Sequence, residues 1–292
     1  MHYEPVDCVH PGSRELLLNA STMKIGACDF RLYLTHACGY KHKVEPEIPA
    51  FGTALHRFCS VKDITGDHGQ AVAEALAIAP PNAKMRATVM ALMSCKQPGR
   101  PPITHKSGEL FVEQELRIPW RRYIVDGHDF TITLKGTIDR ISCERDVLIV
   151  EDYKTSHYFR DEDALRKYEF EIQFEFYKWL CYEFGHMFLP TPLANLARQC
   201  KLMSQVIVAK MSSSPRWVYG PQRGFTPAKA DLIEELVTEF AETKLIPLYT
   251  RSYHSQNGMT TNACVTCDYK QACHAGDESM FNTIMSANFY KP

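Results

Sequence analysis

The chain has 292 residues, 45% of them hydrophobic, and its 33 basic side chains nearly balance 34 acidic ones. That apolar fraction supports a sizeable core, while a pI near 6.9 excludes a general attraction to polyanions, so any nucleic acid must bind at a local patch or cleft. No run of about eighteen apolar residues is present to cross a bilayer, and the N-terminal stretch lacks the basic start and apolar centre of a signal peptide.

The protein is therefore expected in a reducing, cytoplasmic compartment, where its 11 cysteines would not form a disulfide framework. Most of them, such as Cys59, Cys143 and Cys181, read as small buried apolar residues. A clustered subset calls for a metal.

Residues 1–20 read as a loosely structured lead-in. Residues 23–40 are aromatic and basic and hold Cys28 and Cys38, before Pro46 and Pro49 break the chain. Residues 50–61 predict a helix carrying His56, and 69–79 and 82–95 predict two more, split by Pro80 and Pro81. The Pro- and Gly-rich stretch 96–108 predicts a loop.

From 109 to 118 apolar and polar residues alternate, as in a half-buried strand. Strands at 130–142 and 147–153 follow around a turn at 143–146, an antiparallel meander of about three strands. Residues 163–184 predict one strong helix, 192–200 a shorter one, and 202–210 and 216–219 two strands. Thr226 and Pro227 open a helix reaching 245. The expected fold is α/β, a small mixed sheet of about four or five strands flanked by helices. Its expected parts are a helical segment 1–108, a core 109–250 and a cysteine-rich tail 251–292, integrated into one domain.

The most informative text is GTIDRISCERDVLIVEDYKT, residues 136–155. Asp139 lies on one strand, and Asp152 and Lys154 sit two apart on the next, so the latter pair faces one side of the sheet. Glu151 should face the other side. Converging carboxylates need a cation to stay ionised together, and oxygen ligands with open positions suit Mg²⁺ or Mn²⁺. Such an ion polarises a phosphoryl oxygen and acidifies a bound water, and a neighbouring lysine stabilises the developing charge. On a later helix Gln173 and Tyr177 are four apart and share a face. His56 sits on a helix able to approach the same cleft. Taken singly, each of these also fits a plain structural role.

In order, the segments Gly52 to His56, Glu113 or Glu115, Gly136 to Ile141, Asp152 to Thr155 and Gln173 to Tyr177 resemble the RecB-like branch of the PD-(D/E)XK nucleases. The resemblance implies that His56, Asp139 and Asp152 are metal ligands, with Glu113 and the Tyr153 carbonyl as secondary candidates. It implies that Lys154 is the catalytic lysine and that Gln173 and Tyr177 support the site and contact DNA. An exonuclease acting on single-stranded or free DNA ends, in repair, recombination or processing, follows by the same analogy. A helicase or recombination partner is expected to be separate, because no Walker A motif is present.

Cys264, Cys267 and Cys273 give C-x2-C-x5-C, which wants a metal and a fourth ligand from elsewhere. Zinc, with His274, is one reading. The same spacing in AddB-type and CRISPR-associated RecB-like nucleases implies instead a [4Fe-4S] cluster that staples the N- and C-terminal segments. Cys28 resembles the family's upstream ligand, although Asp29 stands where a proline often follows; Cys38 is the alternative. Lys24, Arg31, Lys41, Lys43, Arg121, Arg122 and Arg216 are candidate backbone contacts for a single strand. A catalytically silent DNA-binding protein of the same fold, or a zinc-stabilised interaction module, are the competing functions.

Overall fold

A computed structural model of the protein describes residues 3–6, 8–9, 12–25, 28–43, 47–79, 82–95, 100–156, 160–166, 168, 171–211, 215–250, 267, 269–273, 275 and 278–291. Two compact units are present. The central unit comprises Pro46–Leu116 and Gly136–Ile233; the terminal unit comprises Met1–Glu45, Arg117–Lys135 and Glu234–Pro292.

In the terminal unit, β1 (Tyr3–Pro5) and β2 (Arg14–Leu18) occupy the stretch expected to be loose. β1 pairs antiparallel with residues 121–123 of β4 (Val112–Val125), and β2 pairs parallel with residues 130–134 of β5 (His128–Glu144). Both pairings join residues more than a hundred positions apart, so nothing local announces them. β4 also outruns its expected end at 118, continuing through Pro119 to a turn at Asp126-Gly127. Both turn residues have positive φ, 50° and 76°, the geometry whose twist suits a two-residue hairpin.

The same unit joins its first and last chain segments directly. Helices α1 (Ala20–Ile25) and α2 (Asp29–Leu32), the latter running into a π-helical turn at Tyr33–Ala37, precede β3 (Lys41–His42). β3 pairs with the C-terminal β10 (Phe289–Tyr290). Tyr269 stacks on Phe289 at 4.6 Å between ring centroids and donates its hydroxyl to the Tyr40 carbonyl at 2.8 Å.

In the central unit, β5 pairs antiparallel with β6 (Val147–Ser156), Arg140 opposite Glu151. Arg145 and Asp146 turn the hairpin with φ of 51° and 61°. β6 pairs in parallel with β7 (Leu202–Lys210), which requires a crossover. Helices α6 (Asp161–Arg166), α7 (Ile172–Phe188) and α8 (Thr191–Arg198) supply it. β8 (Arg216–Tyr219) and β9 (Arg223–Gly224) return antiparallel on β7, so the sheet is mixed, as expected.

The helix expected over 163–184 is instead two, α6 and α7. No proline or glycine marks the break. The Tyr168 hydroxyl donates to the Thr155 carbonyl at 2.7 Å and ties the linker to β6, a tertiary contact that overrides local helix propensity.

β6 is buried along nearly its whole length, the pattern of a strand covered on both faces. On one face Tyr153, Ile207 and Trp217 pack with Phe51, Leu55 and Phe58 of α3 (Glu47–Thr65), Ala71 and Ala75 of α4 (His68–Ile78), and Val89 and Leu92 of α5 (Ala83–Ser94). On the other, Val206 and Val208 pack with Tyr168 and with Phe174 of α7. Strand alternation therefore turns Asp152 and Lys154 towards α7 and Glu151 and Tyr153 towards α3. α7 lies close to β5 at Gly136, where an added Cβ would meet Tyr177 Cε1 at 3.0 Å and Leu180 Cδ1 at 3.3 Å.

Thr226 and Pro227 open α9 (Pro227–Phe240), which ends in a π-helical turn at Ala241–Leu245. Helices α10 (Pro247–Thr250), α11 (Lys270–Cys273) and α12 (Glu278–Asn288) complete the described chain. Among the described residues no helix is long and apolar enough to cross a membrane.

Candidate active site

Four elements of the central unit converge on one cluster of acids. The Phe111 N–H donates to the Ile103 carbonyl and the Ile141 N–H to the Phe111 carbonyl, which lays the start of β4 along β5. Two residues further on, Glu113 reaches the level of Asp139. Its φ of 49° is left-handed, which costs a non-glycine residue about 1–2 kcal/mol. α3 brings His56 from the opposite side. One ligand atom each from His56, Glu113 and Asp139 lies within 4.8 Å of the others, the geometry of a three-donor cation site.

The hydrogen bonds fix the charge state of this cluster. His56 Nδ1 is 3.1 Å from Glu113 Oε1 and 3.4 Å from Asp139 Oδ1, and Nε2 is 2.9 Å from the Tyr153 carbonyl oxygen. Both ring nitrogens face acceptors, so the imidazole is held as a cation. Burial lowers its pKa, but the charge and hydrogen bond of Asp139, and then Glu113, hold it well above the ordinary 6.5. For Asp139, burial is outweighed by His56, Lys154 and the Tyr153 N–H, which donates to Oδ2 at 2.6 Å, and its pKa is lowered.

Asp152 stands beside this cluster at 1% exposure, its Oδ2 2.5 Å from Lys154 Nζ. Burial pushes its carboxyl up to about 6 against the pull of that ammonium. Burial opposes the charge on Lys154 as well, but Asp152 and Asp139 hold its pKa raised, so it keeps its proton. Gln173 donates to Asp152 Oδ1 at 2.9 Å and accepts from Lys154 Nζ at 3.4 Å. Its amide nitrogen is also 3.1 Å from the Tyr177 hydroxyl. The Gln173–Tyr177 pair read from helical spacing thus meets the Asp152–Lys154 pair read from strand spacing.

The donor chemistry fits a divalent cation. Once His56 gives up its proton, three carboxylates face one ammonium, a negative balance that a dication neutralises. Of the sequence-derived ligands, His56 and Asp139 lie in the three-donor group, Asp152 borders it, and the Tyr153 carbonyl lies at its His56 edge. Glu113 is a full member, whereas Glu115 is exposed.

Strand alternation turns Glu151 away from the site, where its partners are not legible from spacing. Glu151 is fully buried, with Oε2 2.5 Å from Arg140 Nε and Oε1 2.8 Å from Arg100 Nη1. The adjacent opposite charges opposite each other in the hairpin were the signal available.

Of the cysteines, Cys28 is buried at the N-cap of α2, and Cys38 and Cys267 pack against one apolar cluster around Leu34, Tyr269 and Phe289. Cys273 ends α11. Cys264 and His274 lie outside the described residues. Several expected DNA contacts are engaged within the protein: Arg121 with Glu234 and Thr238, Arg122 with Asp129, and Arg216 with Asp161. Lys43 Nζ donates to the Ser286 carbonyl at 2.5 Å. Lys24 and Lys41 are exposed, and Arg31 is half-buried.

A mixed sheet covered by helices, with carboxylates, a histidine and a lysine gathered at its central hairpin, defines an α/β protein with a candidate divalent-cation site. The family model of the PD-(D/E)XK nuclease superfamily matches residues 23–274, and the chain belongs to that family. Among solved structures, one described as "Crystal structure of SSO0001" is similar at 15% identity, covering 85% of this chain and 93% of that chain with a TM-score of 0.30. No curated protein matches the chain.

Proposed function

We propose that this protein is a Mg²⁺- or Mn²⁺-dependent deoxyribonuclease, acting as an exonuclease on single-stranded or free DNA ends in repair, recombination or DNA processing. The observation that carries the reading is the meeting of His56, Glu113 and Asp139 beside the Asp152–Lys154–Gln173–Tyr177 network. A bound dication would polarise the scissile phosphate and acidify an attacking water. His56, Glu113, Asp139 and Asp152 would hold it, with the Tyr153 carbonyl alongside.

The protein's own groups then have distinct tasks. Lys154, kept protonated, stabilises charge developing on the phosphate rather than serving as a base. Gln173 holds Asp152 and Lys154 in one geometry, and Tyr177 anchors Gln173. The exonuclease mode and the choice of end rest on the resemblance of the motif order to RecB-like nucleases.

A [4Fe-4S] cluster held by Cys264, Cys267, Cys273 and Cys28 belongs to the same reading, with Cys38 as the alternative fourth ligand and zinc as the alternative metal. Its support is the β3–β10 and Tyr269–Tyr40 pairing, which already brings the N-terminal cysteine segment to the C-terminal one.

The test is a nuclease assay on end-labelled single- and double-stranded linear DNA in Mg²⁺, Mn²⁺ or EDTA, with Lys154→Ala alongside. Metal-dependent loss of label that disappears in the variant supports the reading. Equal inertness of both folded, metal-loaded proteins overturns it and leaves a DNA-binding or scaffold role.

A further inference from the structure

Three residues of the candidate metal site, His56, Asp139 and Asp152, share their elements with members of a second, largely buried ionic chain on the other side of the sheet. Arg140 follows Asp139 on β5, and Glu151 precedes Asp152 on β6. Asp63 lies two helical turns beyond His56 on α3. Arg140 bonds to both of the other two. Arg140 Nε donates to Glu151 Oε2 at 2.5 Å, and Nη1 donates to Asp63 at 3.1 and 3.3 Å. The Arg140 guanidinium also lies 5.5 Å from the ring centroid of Tyr153, the residue whose N–H and carbonyl contact Asp139 and His56. Arg100 closes the far end, bonding Glu151, Gln205 and Glu144.

We propose that Arg140 is a positioning residue for metal binding: through Asp63, Glu151 and Tyr153 it fixes helix α3 and strands β5 and β6 at the separation that lets His56, Asp139 and Asp152 share one cation. The inference rests on the metal-site reading given above.

Such a chain serves stability alone poorly. Arg140 is 2% exposed and Glu151 fully buried, and taking both charges out of water costs about what their attraction returns. An apolar pair of similar volume would hold the sheet and helix together as well or better. What apolar packing lacks is direction. A guanidinium has fixed donor angles, and its two arms here set α3 against β6 to within hydrogen-bond tolerance. Metal ligation is intolerant on the same scale, since a ligand a fraction of an ångström out of place weakens the site.

The experiment measures Mn²⁺ affinity, read directly by titration, together with melting temperature, on the full chain. Its variants are Arg140→Lys, Arg140→Met and the double variant Arg140→Met with Glu151→Leu. Mn²⁺ affinity is expected to fall at least tenfold in Arg140→Met and less in Arg140→Lys. In the double variant the melting temperature should recover part of the loss seen in Arg140→Met, while the Mn²⁺ affinity stays low. A folded double variant that binds Mn²⁺ as tightly as wild type overturns the proposal. If neither Met-containing variant folds, Arg140→Lys decides: unchanged Mn²⁺ affinity in that folded protein overturns it as well. Wild-type protein that binds no Mn²⁺ would instead sink the metal-site reading itself, which keeps the two failures distinct.

Discussion

His56 and Tyr153 are joined by a hydrogen bond of 2.9 Å from the imidazole Nε2 to the backbone carbonyl, while Nδ1 faces Glu113 and Asp139. A proton thus occupies the position a dication would compete for. In the metal-free protein His56 has a raised pKa, so its contribution to stability is complete below its unfolded value near 6.5 and is lost as pH rises through the higher folded value. Asp152, raised from 3.8 to about 6, acts in the same direction: its protonated form is favoured, and that contribution fades as pH rises through about 6. Asp139, whose pKa is lowered, opposes both at the acid end, contributing above its unfolded 3.8 and losing that contribution as pH falls through its folded value. The Mn²⁺-induced rise in melting temperature should therefore grow from pH 5.5 to pH 8, with proton release on binding seen by calorimetry in two buffers of different ionisation enthalpy. A pH-independent metal effect with no proton release would contradict this charge assignment. At a free Mn²⁺ concentration of a hundred times Kd, the stabilisation should be about 2.7 kcal/mol.

Glu113 and Glu115 are separated by their surroundings. Glu113→Gln should weaken Mn²⁺ binding by at least about tenfold, whereas Glu115→Gln, at an exposed position, should leave it within experimental error. Titration of both variants checks the assignment, and a larger effect at Glu115 would refute it.

Lys154→Ala should reduce cleavage by roughly a hundredfold or more while leaving metal affinity within a few-fold. Its Nζ touches Asp152 and Gln173 and lies outside the His56–Glu113–Asp139 group. Single-turnover rates at saturating Mn²⁺ test this, and loss of metal binding in parallel would place the lysine in a different role.

Gly136→Ala should damage the site from beneath. The new methyl would press on Tyr177 at 3.0 Å and Leu180 at 3.3 Å, overpacking that costs about 1–3 kcal/mol. Because Tyr177 anchors Gln173, activity should fall further than the stability loss alone predicts. Thermal denaturation together with cleavage rates decides it, and full activity in the folded variant would show that Tyr177 is not needed where it stands.

Iron content tests the cluster. Cys267→Ser and Cys28→Ser should each lose iron and lower the melting temperature, and Cys38→Ser should do neither. Zinc in place of iron, or an iron-free Cys267→Ser protein that melts at the wild-type temperature, would remove the structural cluster from the reading.

Much of the candidate site's geometry was legible because its signals are local. Two-residue spacing on a strand placed Asp152 with Lys154 and turned Glu151 away, and four-residue spacing on a helix placed Gln173 with Tyr177. The helix carrying His56 was legible too, ending within a few residues of its observed bounds. The break between α6 and α7 was not, since it depends on Tyr168 reaching Thr155 across the fold. The strand Arg14–Leu18 was equally hidden, because its partner lies at 130–134.

The sequence by itself determined which residues could do chemistry and which face of its own element each one occupies, because side-chain periodicity along a strand or helix is set by backbone geometry alone. Only the tertiary structure decided which acids converge. Glu113 rather than Glu115 meets Asp139 because β4 begins alongside Ile141 and takes a left-handed step at Glu113. Arg140 rather than a second apolar layer binds Glu151 because α3 brings Asp63 to the same point. Those outcomes depend on how separate elements pack, and the physics of packing is not written in any single stretch of chain.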